Sequence, residues 1–348
     1  MSSAVLQHLV ILSWVTTFAA ALVALVRVPL RGAMGARAAY WLWLSVPASA
    51  AAAALPRSAQ PVAGVAAMAP DVLAWVWARV DALVAAIHVA SPLGAALCGV
   101  WALGTVAAFA FMVLRQSAFA RSLGRLVPLP DGTWRSGGVA EPMLLGALRP
   151  RMLLPLDFER RYSPEEREFV LAHERAHMRR GDTIVNAAGA AWLCVFWFNP
   201  VMSWAMRLLR FDQDLACDAA VLAAAGRGCR GRYAGALLKA QLAGEAGMRA
   251  PLACHWRSVH PLRQRIAALQ RPVAGRMRHG LGILCAALVV AAVSLAAHAV
   301  PPALHATPPL SAGAAAGAAR APKAHASAAA CPLSRQRAQA HQPRQSRA

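Results

Sequence analysis

The sequence predicts a multi-pass α-helical membrane protein with a mainly helical (α+β) domain placed between its membrane segments. Three observations carry this expectation. Hydrophobic residues make up 58% of the 348 positions, above the roughly 45–50% usual for soluble domains. Several apolar runs reach the length of about 20 residues that crosses a hydrocarbon core of about 30 Å. The charged residues and the strongest helix-start signals gather between the third and fourth of these runs.

Residues 4–26 and 93–114 contain no charged side chain and read as spans. Residues 38–55, with Pro47 and many alanines, form another candidate, and 280–300 closes the set. The first run lacks the basic n-region of a cleaved leader, because nothing before Arg27 is charged, so it reads as an anchor or true span. Lys and Arg collect on the cytoplasmic side. Arg27, Arg31 and Arg37 follow the first run, and Arg115, Arg121 and Arg125 follow the third, which makes both segments cytoplasmic. The expected organisation is a membrane domain with three spans over 1–114, a cytoplasmic domain over 115–279, a transmembrane helix over 280–300, and a disordered external tail over 301–348. The N-terminus is then external. The tail is rich in Ala and Pro and has little to bury.

A net charge of +21 could suggest nucleic acid. The arginines are scattered, however, and no base-reading pattern accompanies them, so direct nucleic-acid binding is not expected. Positive-inside charge and attraction to anionic headgroups account for the excess. Seven cysteines without C-x-x-C spacing indicate neither a disulfide framework nor a thiolate metal site.

Within 115–279, residues 126–155 hold short apolar pieces broken by Pro and Gly, which suits strands and turns. Ser163 and Glu166 make a capping box, Pro164 takes the first helical position and Gly181 stops the run, so a helix is expected over 164–180. A second helix begins near Asp182 and breaks at Asn199-Pro200, and a third runs from Pro200 to Ala225 before Gly226.

The first of these helices carries LAHERAHMRRGD, residues 171–182. With 11 His and 15 Asp+Glu in 348 residues, chance supplies roughly 0.01–0.02 copies of H-E-x-x-H. Residues four apart share a helix face, so His173 and His177 can direct ring nitrogens at one zinc ion. Glu174 would then serve as general base toward a water activated by that metal. The alternative is a solvated charged face, given Arg175, Arg179 and Arg180, but His173 and His177 fall on the stripe of Val170, Ala172 and Ala176.

FDQDLACDAAV, residues 211–221, offers the third ligand. Asp214 is the expected metal ligand, and Asp218, one turn on, would hold a ligand histidine by hydrogen bonding. The alternative pairs both acids with Arg207 and Arg210 on a solvated face. If His173 and Asp214 share a metal, residues 183–206 cannot cross the membrane once. They must dip in and return, or lie against the domain, with Asn199-Pro200 as the reversal.

Together, the apolar spans, GALRPRMLLP (146–155), SPEEREFVLAHERAHMRRGD (163–182) and FWFNPVMSWAMRLLRFDQDLACDAAVL (196–222) resemble the BlaR/MecR-type antirepressor membrane zinc metallopeptidases, metallopeptidase family 56. The resemblance covers most of residues 1–300. It implies a gluzincin-like peptidase domain, His173 and His177 as zinc ligands, Glu174 as general base, and a third ligand at 214, where that family usually has Glu and this chain has Asp. By the same resemblance Asp182 joins Asp218 behind the ligands, and His260 or Tyr233 would stabilise the oxyanion. The implied setting is the bacterial inner membrane. The partners expected are the lipid bilayer, a cytoplasmic protein substrate such as a transcriptional repressor, and a second copy of the chain. The β-lactam sensors of that family carry an acylatable serine in S-x-x-K beyond the last span, and residues 301–348 hold no such motif. VHPLRQRIAAL (259–269) is also similar to the closing motif of the HtpX/Ste24-type membrane proteases. A quality-control protease of that kind, or a non-catalytic membrane signal transducer, is the rival reading.

Overall fold

The computed structural model describes residues 2–55, 82, 91–243, 254–255, 262–271 and 275–298. Most of the expected external segment 56–92, His260 and the 301–348 tail lie outside the described residues.

Helix α1 (Ser2–Met34) is apolar over most of its length and ends where Gly35 takes φ 100°. The chain continues as α2 (Ala36–Trp41), a 3-10 turn (Leu42–Leu44) and α3 (Ser45–Ala54). The expected span at 38–55 is therefore segmented. Proline has no N–H for the i−4 carbonyl and crowds it, and the tightened turn lies directly before Pro47. Next comes α4 (Ser91–Ser122), whose Gly104 abuts the Trp197 ring so closely that a Cβ there would sit 2.3 Å from it.

The strands predicted in 126–155 are β1 (Val127–Pro128), β2 (Trp134–Ser136), β3 (Met143–Leu145) and β4 (Arg151–Pro155). Then follow α5 (Phe158–Arg161), α6 (Pro164–Arg180), α7 (Asp182–Val195), α8 (Pro200–Ala225), α9 (Arg230–Ala243), β5 (Cys254–His255), α10 (Leu262–Leu269) and α11 (Arg276–His298). The sheet order is β1-β2-β4-β3-β5, with β2 and β4 parallel and the other pairs antiparallel. Side chains alternate faces along a strand, and RMLLP uses both. Met152 and Leu154 enter a core with Phe169, Val170, Val221, Tyr233 and Leu237, while Leu153 enters another with Phe119 and Leu123.

Three described helices are long and apolar enough to cross a membrane: Val5–Met34, Pro92–Ser122 and Met277–His298. A further core joins the first and last of these to the rest through Val23, Tyr40, Trp43, Phe196, Leu208 and Ala286. Two polar anchors fix α1 against α8. Asp212, fully buried, accepts from Arg27 Nη1 at 3.0 Å, Arg31 Nη1 at 3.3 Å and Trp43 Nε1 at 2.8 Å. Asn199 caps α8 by accepting from Val201 N–H at 3.0 Å, and its Nδ2 donates to Ser13 Oγ at 3.0 Å and Thr17 Oγ1 at 2.8 Å.

Candidate metal centre

The helix that carries the histidines is bounded at both ends by its own sequence. Ser163 N–H donates to the Glu166 carboxylate at 2.8 Å, and Glu166 N–H donates back to Ser163 Oγ at 3.3 Å. At the other end Gly181 adopts the left-handed conformation, φ 71°, and its N–H turns back to the carbonyls of His177 and Met178. Between these caps His173 and His177 point the same way, with ring centroids 4.8 Å apart and Nε2 atoms 3.1 Å apart. Both are buried.

Each ring is held from behind through Nδ1. On His173, Nδ1 lies 3.0 Å from Tyr233 Oη and 3.2 Å from Asp218 Oδ1, while the Tyr233 hydroxyl donates to that same carboxylate at 2.7 Å. Arg265 donates to Asp218 through Nε at 2.9 Å and Nη2 at 2.6 Å. Burial alone would raise the Asp218 pKa, but the Arg265 charge and the hydrogen bonds from His173 and Arg265 hold it well below the usual range. On His177, Nδ1 donates to Asp182 Oδ2 at 2.7 Å. Asp182 reaches it because the glycine turn starts α7 immediately beside the end of α6. The Arg180 guanidinium also grips Asp182, and the Tyr40 hydroxyl donates to Asp182 Oδ1 at 2.9 Å. Burial opposes ionisation of Asp182, yet His177 and Arg180 outweigh it and lower its pKa.

The α7–α8 hairpin starts and finishes at His177. It leaves through Asp182, turns at Asn199-Pro200, and brings Asp214 Oδ1 to 3.6 Å from His177 Nε2. Arg265 Nη1 lies 4.0 Å from Asp214 Oδ2. Asp218 pairs with Arg265 and not with the sequence neighbours Arg207 or Arg210 weighed above.

This donor set fits a zinc ion. With Nδ1 of each ring directed at a carboxylate, both Nε2 lone pairs face one another across 3.1 Å, an arrangement that favours a shared cation. Two nitrogens in a tetrahedral shell at about 2.0–2.1 Å from zinc stand about 3.3 Å apart. Asp214 supplies a third donor beside them. Cys217 also falls within 4.8 Å of the histidine nitrogens, and no sequence signal marked it. Its sulfur already accepts from Arg180 Nη2 at 3.1 Å, and burial pushes the thiol well above its usual pKa. Among the described residues His173, His177 and Cys217 form the cluster whose donor atoms lie within 4.8 Å of one another, and Asp214 approaches it from the His177 side.

Glu174 is fully buried, and neither carboxylate oxygen has a hydrogen-bond partner among the described residues. Burial, then the negative charges of Asp214 and Glu141, push its pKa well above the usual range against the pull of Arg265. Burial pushes His173 down to about 3 and lowers His177, so both rings are neutral, the form that binds metal.

Tyr233 Oη lies on the Nδ1 side of His173, bonded to Asp218, and so sits behind the ligand, away from the face where an oxyanion would develop. His260 is outside the described residues. Sequence reasoning missed Arg265, Arg180 and Tyr40. The motif VHPLRQRIAAL carried a hint of Arg265, whereas nothing local marked Tyr40.

The profile described as BlaR1 peptidase M56 matches residues 8–269. The chain is 30% identical over 105 residues to the regulatory protein BlaR1 of Bacillus licheniformis, covering 30% of this chain and 17% of that one. It is 27% identical over 107 residues to the methicillin resistance mecR1 protein of Staphylococcus aureus and of Staphylococcus epidermidis, covering 31% of this chain and 18% of theirs. The matched stretch thus spans less than a fifth of these relatives.

Proposed function

Because the chain belongs to the BlaR1 peptidase M56 family, we propose that it is a membrane-embedded zinc endopeptidase that transduces a signal by cutting a cytoplasmic protein of the transcriptional-repressor kind. The observation that carries this reading is the pair of buried Nε2 atoms 3.1 Å apart, with Asp214 at 3.6 Å and a buried, unpartnered Glu174 on the same helix turn. The likeness to proteins called regulatory and methicillin-resistance proteins supports the signalling part of the reading.

His173, His177 and Asp214 would hold zinc, and Asp218, Asp182, Arg265 and Arg180 would keep those ligands oriented. Zinc supplies Lewis acidity, polarising a peptide carbonyl and lowering the pKa of water towards 7. Glu174 takes the proton of the attacking water and passes it to the leaving amine. Tyr233 acts behind His173 by bonding Asp218, not as the oxyanion donor. The hairpin 183–206 folds back on the site from the apolar side of the molecule, which favours a centre close to the bilayer.

Purified full-length chain should contain about one zinc, and Glu174→Gln should keep that metal while cleavage falls by about 10²–10⁴-fold. Labelling of new protein N-termini in cells expressing the wild type or Glu174→Gln reads the cleavage. A metal-free wild type with unimpaired signalling by Glu174→Gln would support a non-catalytic transducer.

A further inference from the structure

We infer that the segment 36–44, beside the first long apolar helix, is a positioning device for the metal centre, with Tyr40 the positioning residue of His177. The inference rests on the zinc-site reading above and extends it to residues outside the histidine motif and its partner helix.

Tyr40 and Trp43 are three residues apart, so they share a face of this helical segment. Each hydrogen-bonds a different catalytic helix. The Tyr40 hydroxyl donates to Asp182 Oδ1 at 2.9 Å, and the other oxygen of that carboxylate receives His177 Nδ1 at 2.7 Å. Trp43 Nε1 donates to Asp212 Oδ2 at 2.8 Å, two residues before Asp214 on α8. One short segment thus bonds α8 directly and reaches α6 through the carboxylate that holds His177.

The phenol does more than fill space. Its ring lies under the Arg180 guanidinium, whose carbon is 4.9 Å from the ring centroid, and Arg180 grips the same Asp182 carboxylate. Tyr40 therefore touches both members of the Arg180–Asp182 pair, whose carboxylate fixes the His177 ring. The same segment also walls an apolar cavity of about 570 Å³ that it shares with α7 and α8 and that Trp192, Met202 and Leu209 help to line. Since only Gly35 separates α1 from α2, a displacement of α1 is passed to Asp182 and Asp212 through a short connection. This provides a route by which a change in the membrane helices alters the affinity of the site for its metal.

Tyr40→Phe removes the hydroxyl and keeps the ring. Partners in the outer shell of a metal site are typically worth 10–100-fold in affinity, and a loss of about that size is expected when zinc binding by the detergent-solubilised full chain is titrated against a competing chelator. In an Asp182→Asn background the same substitution should add no further loss, because the two residues act through one contact. Tyr162→Phe, which removes a buried hydroxyl from a core that does not contain Tyr40, should leave zinc affinity unchanged. If Tyr40→Phe does not accumulate, Trp43→Phe tests the same segment from the Asp212 side, again with weakened zinc binding expected. Unchanged zinc affinity in Tyr40→Phe, or an equal loss in the Asp182→Asn background, overturns the inference and leaves the zinc reading intact. A wild-type chain that takes up no zinc overturns the reading itself.

Discussion

His173 and His177 stand one helical turn apart, yet different parts of the chain stand behind them. His173 is backed by Asp218, Tyr233 and Arg265, contributed by α8, α9 and α10, which also build the core over the sheet. His177 is backed by Asp182, Arg180 and Tyr40, at the junction of the motif helix with α7 and with the segment that follows the first long apolar helix. The contrast shows how one ion could report on two structures. One ligand depends on the packed peptidase core, and the other on where the apolar helices hold their neighbours.

The largest effect that would test this division is on stability. Arg265 is 2% exposed and bonded twice to Asp218. Removing one partner of a buried pair typically costs about 3–5 kcal/mol, and Arg265→Ala should lose that much in unfolding of the full chain followed by denaturant. On the other side, Asp182→Asn should act chiefly on metal, weakening zinc binding by about 10–100-fold in a chelator titration, with a smaller change in stability. Equal stability losses in the two variants would break the comparison.

The smallest effect is on pH dependence. The His173 pKa is lowered from 6.5 to about 3 in the fold, so between these values the unfolded chain takes up a proton that the folded chain refuses. Stability then rises with pH across that window and is lost on acidification. Asp218 and Asp182, both lowered, add loss in the same direction as pH falls below the unfolded carboxylate range. Glu174, raised, works in the opposite sense, its contribution present within that range and declining as pH climbs from it toward the raised pKa. The melting temperature of chelator-treated chain should fall from about pH 6.5 downward, and Glu174→Gln should steepen the fall.

What was legible in the sequence was local. The capping box at Ser163 and Glu166, the glycine stop at 181 and the break at Asn199-Pro200 each encode a helix end within a few residues, and the helices lie where those signals put them. The four-residue spacing in His173/His177 and Asp214/Asp218 likewise survives, because it depends only on helix geometry. Contacts that join distant segments had no such signature. Tyr40 meets Asp182 across 142 positions, and Arg27 meets Asp212 across 185. Neither periodicity nor capping can specify which buried charge a remote side chain will find. The 38–55 run, where Pro47 already stood out in the sequence, is helical with a 3-10 turn at Leu42–Leu44 that mean apolarity does not show.

The amide of Asn199 sets the axial position of α1 to within a helix turn. Its oxygen is committed to Val201, so both N–H bonds must go to α1, where Ser13 and Thr17 receive them. Sliding α1 by one turn, about 5.4 Å, would present Leu9 and Ser13, or Thr17 and Ala21, and either pair restores one bond and leaves one donor facing an alkyl group. The first helix and the hairpin therefore fit like a two-pin plug in a two-hole socket: an axial slide of α1 loses at least one of the two bonds, at a net cost of about 0.5–1.5 kcal/mol.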